Sequence, residues 1–242
     1  MTKTRDFPDN WTNDSLTSFI DVAINNITAT FYRDKTECPL IIEIDNIFLE
    51  IAEALDHPGD RIVESILLYR THSSFRAACI LAMSGMSPES FVQMRNCLEN
   101  ALYALHIYKN KGLDEIWLNR HTDEASLKTV KNNFKISDVK ETLKRTDKKN
   151  HEVASTLYDR TIDFGAHPNE MASTSSAIME ENEDGIKLQQ IYASGGNMQQ
   201  RHAMKTTAQV GLCSLLTLRH IFKERFDILG LTVKLDKLRS AL

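Results

Sequence analysis

Arg95 and Glu99 stand four residues apart, amid Phe91, Met94, Leu98 and Leu102. That spacing puts a guanidinium and a carboxylate on one face of a helix, inside its apolar stripe. Charges placed in a core cost several kcal/mol unless they are paired. Arg160 and His167 are the second pair, in Tyr158-Asp159-Arg160-Thr161-Ile162-Asp163-Phe164-Gly165-Ala166-His167-Pro168. Seven residues are two helical turns, so this arginine and histidine nearly eclipse on one face, with Val153, Leu157 and Phe164 beside them.

The chemistry open to the second pair is acid–base work on a phosphodiester. A neutral imidazole takes the proton of a ribose 2′-hydroxyl or returns one to a leaving oxygen. An arginine fork holds the scissile phosphate and stabilises its developing charge. No metal is required. The same residues also fit a purely structural role. Arg95 and Glu99 then form a buried ion pair fixing helix register. His167 caps the end of its helix and bonds to Glu99 or to a backbone carbonyl. Three other histidines in predicted helices, His72, His106 and His202, lack matching acids at ligand spacing and read as ordinary.

The helices that position these groups follow from apolar periodicity. Leu16, Phe19, Ile20, Ala23 and Ile27 recur at helical spacing and predict a first helix. Pro39 opens an apolar segment, Leu40 to Leu55, and Pro58-Gly59 closes it. A long helix from Asp60 to Ser84 is apolar on most sides, the pattern of a central bundle helix. Gly85 suits its C-terminal cap, and Ser87-Pro88-Glu89 reads as an N-cap, a first-turn proline and an acid on the helix dipole. The next helix runs to about Tyr108. Residues 112–148 predict shorter helices anchored by Trp117 and Phe134. A helix from Asn150 to Phe164 stops at Gly165.

Residues 169–198 break the pattern, and a small β-hairpin is expected around Asp184-Gly185. Gly195-Gly196-Asn197 then launches a final long helix to about Phe226, with Met204, Ala208, Gly211, Leu215, Leu218 and Phe222 on one stripe. Ala208 and Gly211 would let a neighbouring helix approach closely. The expected fold is all-α, a bundle of long antiparallel helices with a small irregular or β-hairpin insertion near 170–195. Residues 1–38 read as an N-terminal extension with one helix, 39–226 as the bundle, and 227–242 as a C-terminal tail or short helix.

Composition narrows the classes of function. The chain has 242 residues, 42% hydrophobic and 26% charged, the balance of a globular domain. A net charge of -4 argues against a protein held to nucleic acid mainly by bulk charge. No apolar run reaches the roughly 20 residues that cross a bilayer. Met1 to Asp14 lacks the basic-then-apolar pattern of an export signal, so a cytoplasmic protein without a membrane partner is expected. The cysteines Cys38, Cys79, Cys97 and Cys213 form no C-x-x-C pair and read as small buried hydrophobes, with no metal site and no cofactor expected. Phosphate-loop, dinucleotide, nucleophile-elbow and H-E-x-x-H motifs are missing from the sequence.

The run from Arg160 to His167 resembles the R-x4-6-H signature of the HEPN superfamily, all-α nucleotide-binding and ribonuclease domains common in toxin and antiphage systems. The fuller pattern resembles an uncharacterised bacterial branch in which an R-x-x-x-E helix, here Arg95 to Glu99, precedes a Tyr…His-Pro segment, here Tyr158 to Pro168. The likeness spans roughly residues 60–225 by helix order. It implies a homodimer and a metal-independent endoribonuclease acting on RNA, with an antitoxin or other protein as partner. His167 would then be the acid/base and Arg160 the phosphate clamp, with Arg95, Glu99, Tyr158 and Asn169 lining or orienting the site. The chain matches that signature only partly at Thr161, where active members usually carry a polar residue, often Asn, and departs from it in the glycine inside the motif. The alternative is a non-catalytic helical module that binds a partner protein or a small anionic ligand.

Overall fold

A computed structural model describes residues 6–55, 59, 61–168, 170–174, 176–182 and 185–242. Among them are twelve α-helices and one antiparallel hairpin, an all-α bundle with a small β insertion. Helix α1 (Ser15–Arg33) starts where the Asp14 carboxylate accepts from the amides of Leu16 and Thr17. It packs on α3 (Ile62–Ser84) through Asn26, which donates to the Ser84 carbonyl at 2.9 Å, and Thr30, which donates to the Met83 carbonyl at 3.0 Å. Between them in the sequence comes α2 (Glu37–Glu53), which buries Ile44, Ile47, Phe48 and Ile51.

Gly85 ends α3 in the left-handed region, at φ 85°. One residue later α4 (Ser87–Lys109) begins. Its cap is Met86 rather than Ser87, because the amides of Gly85 and Met86 bond back to Ala82 and Leu81 and leave no room for a separate cap. The short helices α5 (Leu113–Leu118), α6 (Glu124–Asn133) and α7 (Ile136–Thr146) follow, with Phe134 buried against Tyr103 and His106. Trp117 is half-buried.

Helix α8 (Lys148–Thr161) stops three residues before the expected end. The next turn, Ile162–Ala166, widens to π geometry. Its cause is close packing: Gly165 lies so near α4 that a Cβ there would sit 2.0 Å from the Pro88 carbonyl oxygen. Phe164 stacks on Phe91 at 5.4 Å. A short α9 (Glu170–Thr174) leads to the hairpin β1 (Ala177–Asn182) and β2 (Gly185–Gln190), in which Met179 faces Leu188. The expected turn residue Asp184 lies outside the described residues.

Asn197 caps α10 (Met198–Arg219) by accepting from the Gln200 amide. The long helix α3, which packs on α1, α2, α4 and α10, shares the centre of the bundle with this helix. Helix α10 packs on α2, α3, α4 and α8, and its residues are buried on almost every side from Ala203 to Leu218. The second apolar set of α3 is largely at the surface: Ile62, Tyr69 and Ile80 are exposed, although Leu68 is buried. Gly211 allows α10 to approach closely, since a Cβ there would meet Phe75 at 2.5 Å and Ile44 at 2.8 Å. Helix α10 ends short of Phe226 because the chain turns at His220–Phe222, where the Ile221 carbonyl accepts from Arg61. Two short helices close the chain, α11 (Lys223–Ile228) and α12 (Leu231–Ala241). Leu231, Leu235 and Leu238 of α12 are part of the core.

Candidate functional site

Helices α4 and α8 bring Arg95, Glu99 and Tyr158 together. Arg95 donates from Nε to Glu99 Oε1 at 2.8 Å and from Nη2 to the Tyr158 hydroxyl at 2.8 Å. The hydroxyl donates in turn to the same Glu99 oxygen at 3.0 Å, which closes a three-membered ring of hydrogen bonds. Lys140 of α7 lies over the Tyr158 ring at 4.0 Å and 3.8 Å from the Asp159 carboxylate. Arg95 and Glu99 are not inside the stripe but on its edge, with side chains 25% and 32% exposed. Phe91, Met94, Leu98 and Leu102 fill the buried side. Burial, with the Glu99 charge beside it, pushes the Tyr158 phenol up to about 12. A phenol held protonated and a carboxylate already holding two donors make a strut between helices.

Arg160 and His167 do not share a face. Arg160 points to α10, where Nη1 donates to Gln209 Oε1 at 2.9 Å and to Thr206 Oγ1 at 3.3 Å. The π turn and Gly165, with non-helical φ 172° and ψ −26°, intervene before His167. His167 itself is exposed and extended. Among the described residues no hydrogen bond or ion pair joins it to Arg160 or Glu99. Asn169 lies outside the described residues.

Arg160 lines a cleft of about 420 Å³ between α8, α10 and the end of α12. Its floor is apolar, with Leu157, Leu212 and Leu216, and its rim carries Arg160, Gln209 and Arg239. Asn150, buried at the cleft wall, donates to the Cys213 carbonyl at 3.3 Å and the Thr217 hydroxyl at 2.9 Å. Glu152 adds one carboxylate to the lining, yet Arg160 forms no ion pair among the described residues. Its fork is aimed by two neutral oxygens, which orient it but leave its charge uncompensated.

Three histidines have surroundings that spacing along one helix did not reveal. His72 bonds to Asp45 of α2 at 2.7 Å, and Arg76 grips the same carboxylate at 2.7 and 2.8 Å. Burial raises the Asp45 carboxyl, but the hydrogen bonds from Arg76 and His72 outweigh it and hold the group below its ordinary range. His106 sits between the Thr142 hydroxyl and the Asn133 carbonyl. His202 packs 4.8 Å from Phe164 and 5.8 Å from Phe91, and its buried Nε2 has no hydrogen-bond partner among the described residues. Burial, then the nearby Arg160 charge, lowers its pKa. The acid for His72 comes from another helix, so no local motif marks it.

Among the described residues no group of three or more His, Cys, Asp or Glu side chains is placed to hold a metal ion. No helix of these residues is long and apolar enough to cross a membrane. No family model, curated protein or solved structure matches the chain.

Proposed function

We propose that the protein is a helical binding module for a small organic anion with an apolar body. The observation that supports this reading is Arg160, positioned by Gln209 and Thr206 without a carboxylate, on the wall of an apolar-floored cleft. An anionic head would take the unused donors of Arg160 and Arg239, and the ligand's body would cover the leucine floor. Burial of that body contributes about 25 cal/mol per Å² of apolar surface, while the charged hydrogen bonds supply orientation. The Arg95–Glu99–Tyr158 ring is scaffold in this reading.

Calorimetric titration with medium-chain fatty acids and aryl carboxylates tests it. Saturable binding that weakens about tenfold in Arg160→Met, and is unchanged in Glu99→Gln, supports the module. A folded protein that binds none of these probes overturns it.

The HEPN-like ribonuclease is the second reading. It is favoured by the uncompensated Arg160 and by the exposure of His167, which leaves its ring open to a substrate. Cleavage of labelled total RNA in excess EDTA by the wild type, lost in His167→Ala and leaving 2′,3′-cyclic phosphate ends, would establish it in place of the module. The homodimer and an antitoxin partner belong to this reading.

A further inference from the structure

A second cleft, of about 300 Å³, lies on another part of the molecule, where the α1–α2 turn meets the start of α10. Arg33, Lys35 and Arg201 line it, together with Asp34 and Glu37. None of the three cations forms an ion pair among the described residues. Arg33 donates from Nε to the Ala29 carbonyl at 3.3 Å, and Lys35 reaches the Phe31 carbonyl at 3.5 Å, so each keeps donors for another group.

The wall is built rather than incidental. Gly196 has φ 80°, and a Cβ there would lie 2.3 Å from Arg33 Nη1, so the guanidinium rests directly on the glycine backbone. Gln200, 3% exposed, pins this loop. Its Oε1 accepts from the Gly196 amide at 2.7 Å. Its Nε2 donates to the Thr30 hydroxyl at 2.8 Å and to the Met83 carbonyl at 2.8 Å. Three separate stretches of chain, 29–33, Met83 and 196–200, therefore fix where Arg33 stands. Asp34 spends Oδ1 on the amides of Thr36 and Glu37, and its carboxyl group lies beside that of Glu37, whose pKa is raised by burial and then by the Asp34 charge.

Three unpaired cations beside two carboxylates, in a small and mostly polar cleft, suit a ligand with two kinds of group. A phosphate takes the guanidinium and ammonium donors. Hydroxyl groups donate to the carboxylates of Asp34 and Glu37. We infer that this cleft binds a phosphorylated sugar, its phosphate on Arg33, Lys35 and Arg201 and its hydroxyls on Asp34 and Glu37. The inference is independent of the Arg160 cleft.

The test is calorimetric titration of the full chain with ribose 5-phosphate, inorganic phosphate and ribose. Ribose 5-phosphate should bind saturably and at least about tenfold more tightly than phosphate, with ribose alone showing no heat. Arg201→Met and Lys35→Met should each weaken binding by about tenfold with the thermal melt unchanged, and Arg160→Met should leave it intact. Three results would each overturn the inference. One is no saturable signal up to about 10 mM, where binding is too weak to be specific. Another is equal affinity for phosphate alone, and the third is unaltered binding in both folded variants.

Discussion

Arg95 and Tyr158 lie 63 positions apart and share a hydrogen bond of 2.8 Å, while both also bond to one oxygen of Glu99. This ring ties α4 to α8, and its members depend on one another. Tyr158→Phe removes one donor to Glu99 and one acceptor for Arg95, at a cost of about 1–2 kcal/mol. In a Glu99→Gln background the same change should cost less, with a coupling of about 0.5–1 kcal/mol given the partial exposure of both charges. Urea denaturation of the four proteins measures it. Additive losses would show that the three groups do not act as a unit.

Acid should weaken the fold from near neutral pH downward. His72, His106, His202 and His220 all have pKa values lowered by burial, the first cause in each. The unfolded chain therefore binds protons that the native chain refuses. Stability is fully present above about pH 6.5 and falls as pH drops below it, by up to about 1.4 kcal/mol per pH unit for each histidine. Thermal melts between pH 8 and pH 5 should show the decline. His202→Phe removes one of these sites and an unpartnered buried nitrogen, so it should stabilise by about 1 kcal/mol and flatten the profile.

Two neighbouring-type substitutions should separate cleanly. Gly165→Ala drives a Cβ into the Pro88 carbonyl, backbone against backbone, and should destabilise by about 2–3 kcal/mol. Gly195→Ala meets Asn26 Oδ1 at 3.2 Å, which asks for a shift of only a few tenths of an ångström, and should cost less than about 1 kcal/mol. Equal melting temperatures for the two variants would contradict the packing cause given for the π turn.

The cysteines should be inert in the native state. All four are buried. Burial pushes Cys38 up to about 11 and Cys97 and Cys213 up to about 12, and Cys79 is raised as well. A maleimide at pH 7.5 should label none in native buffer and all four in guanidinium, because the thiolate is the nucleophile. Rapid labelling of the folded protein would show that one of these sites opens locally.

The bundle was largely legible because helical periodicity is local. Phe91, Met94, Leu98 and Leu102 recur at helical spacing, and they form the buried side of α4. Gly211 was legible as a point of close approach from its lack of a side chain. What the sequence hid is set between elements. Arg160 meets Gln209 from 49 residues away, and His72 meets Asp45 from 27. The end of α8 is hidden for the same reason, since the close approach at Gly165 is to Pro88 on another helix. Two helical turns from Arg160 to His167 hold only where the pitch is constant, and there it is not.

The central position of α10 has a consequence for how the protein is made. The helix that α2, α3, α4 and α8 all pack against begins at Met198, near the end of the chain. During synthesis those earlier helices can pack on one another, α3 on α4 above all, but the apolar faces that α10 covers stay open until residues 198–219 have emerged from the ribosome. Such a nascent chain offers chaperones a long window and aggregation the same one. A ribosome stalled before residue 198 would carry a protease-sensitive chain, and one stalled after the whole sequence has cleared the exit tunnel would carry a protected one.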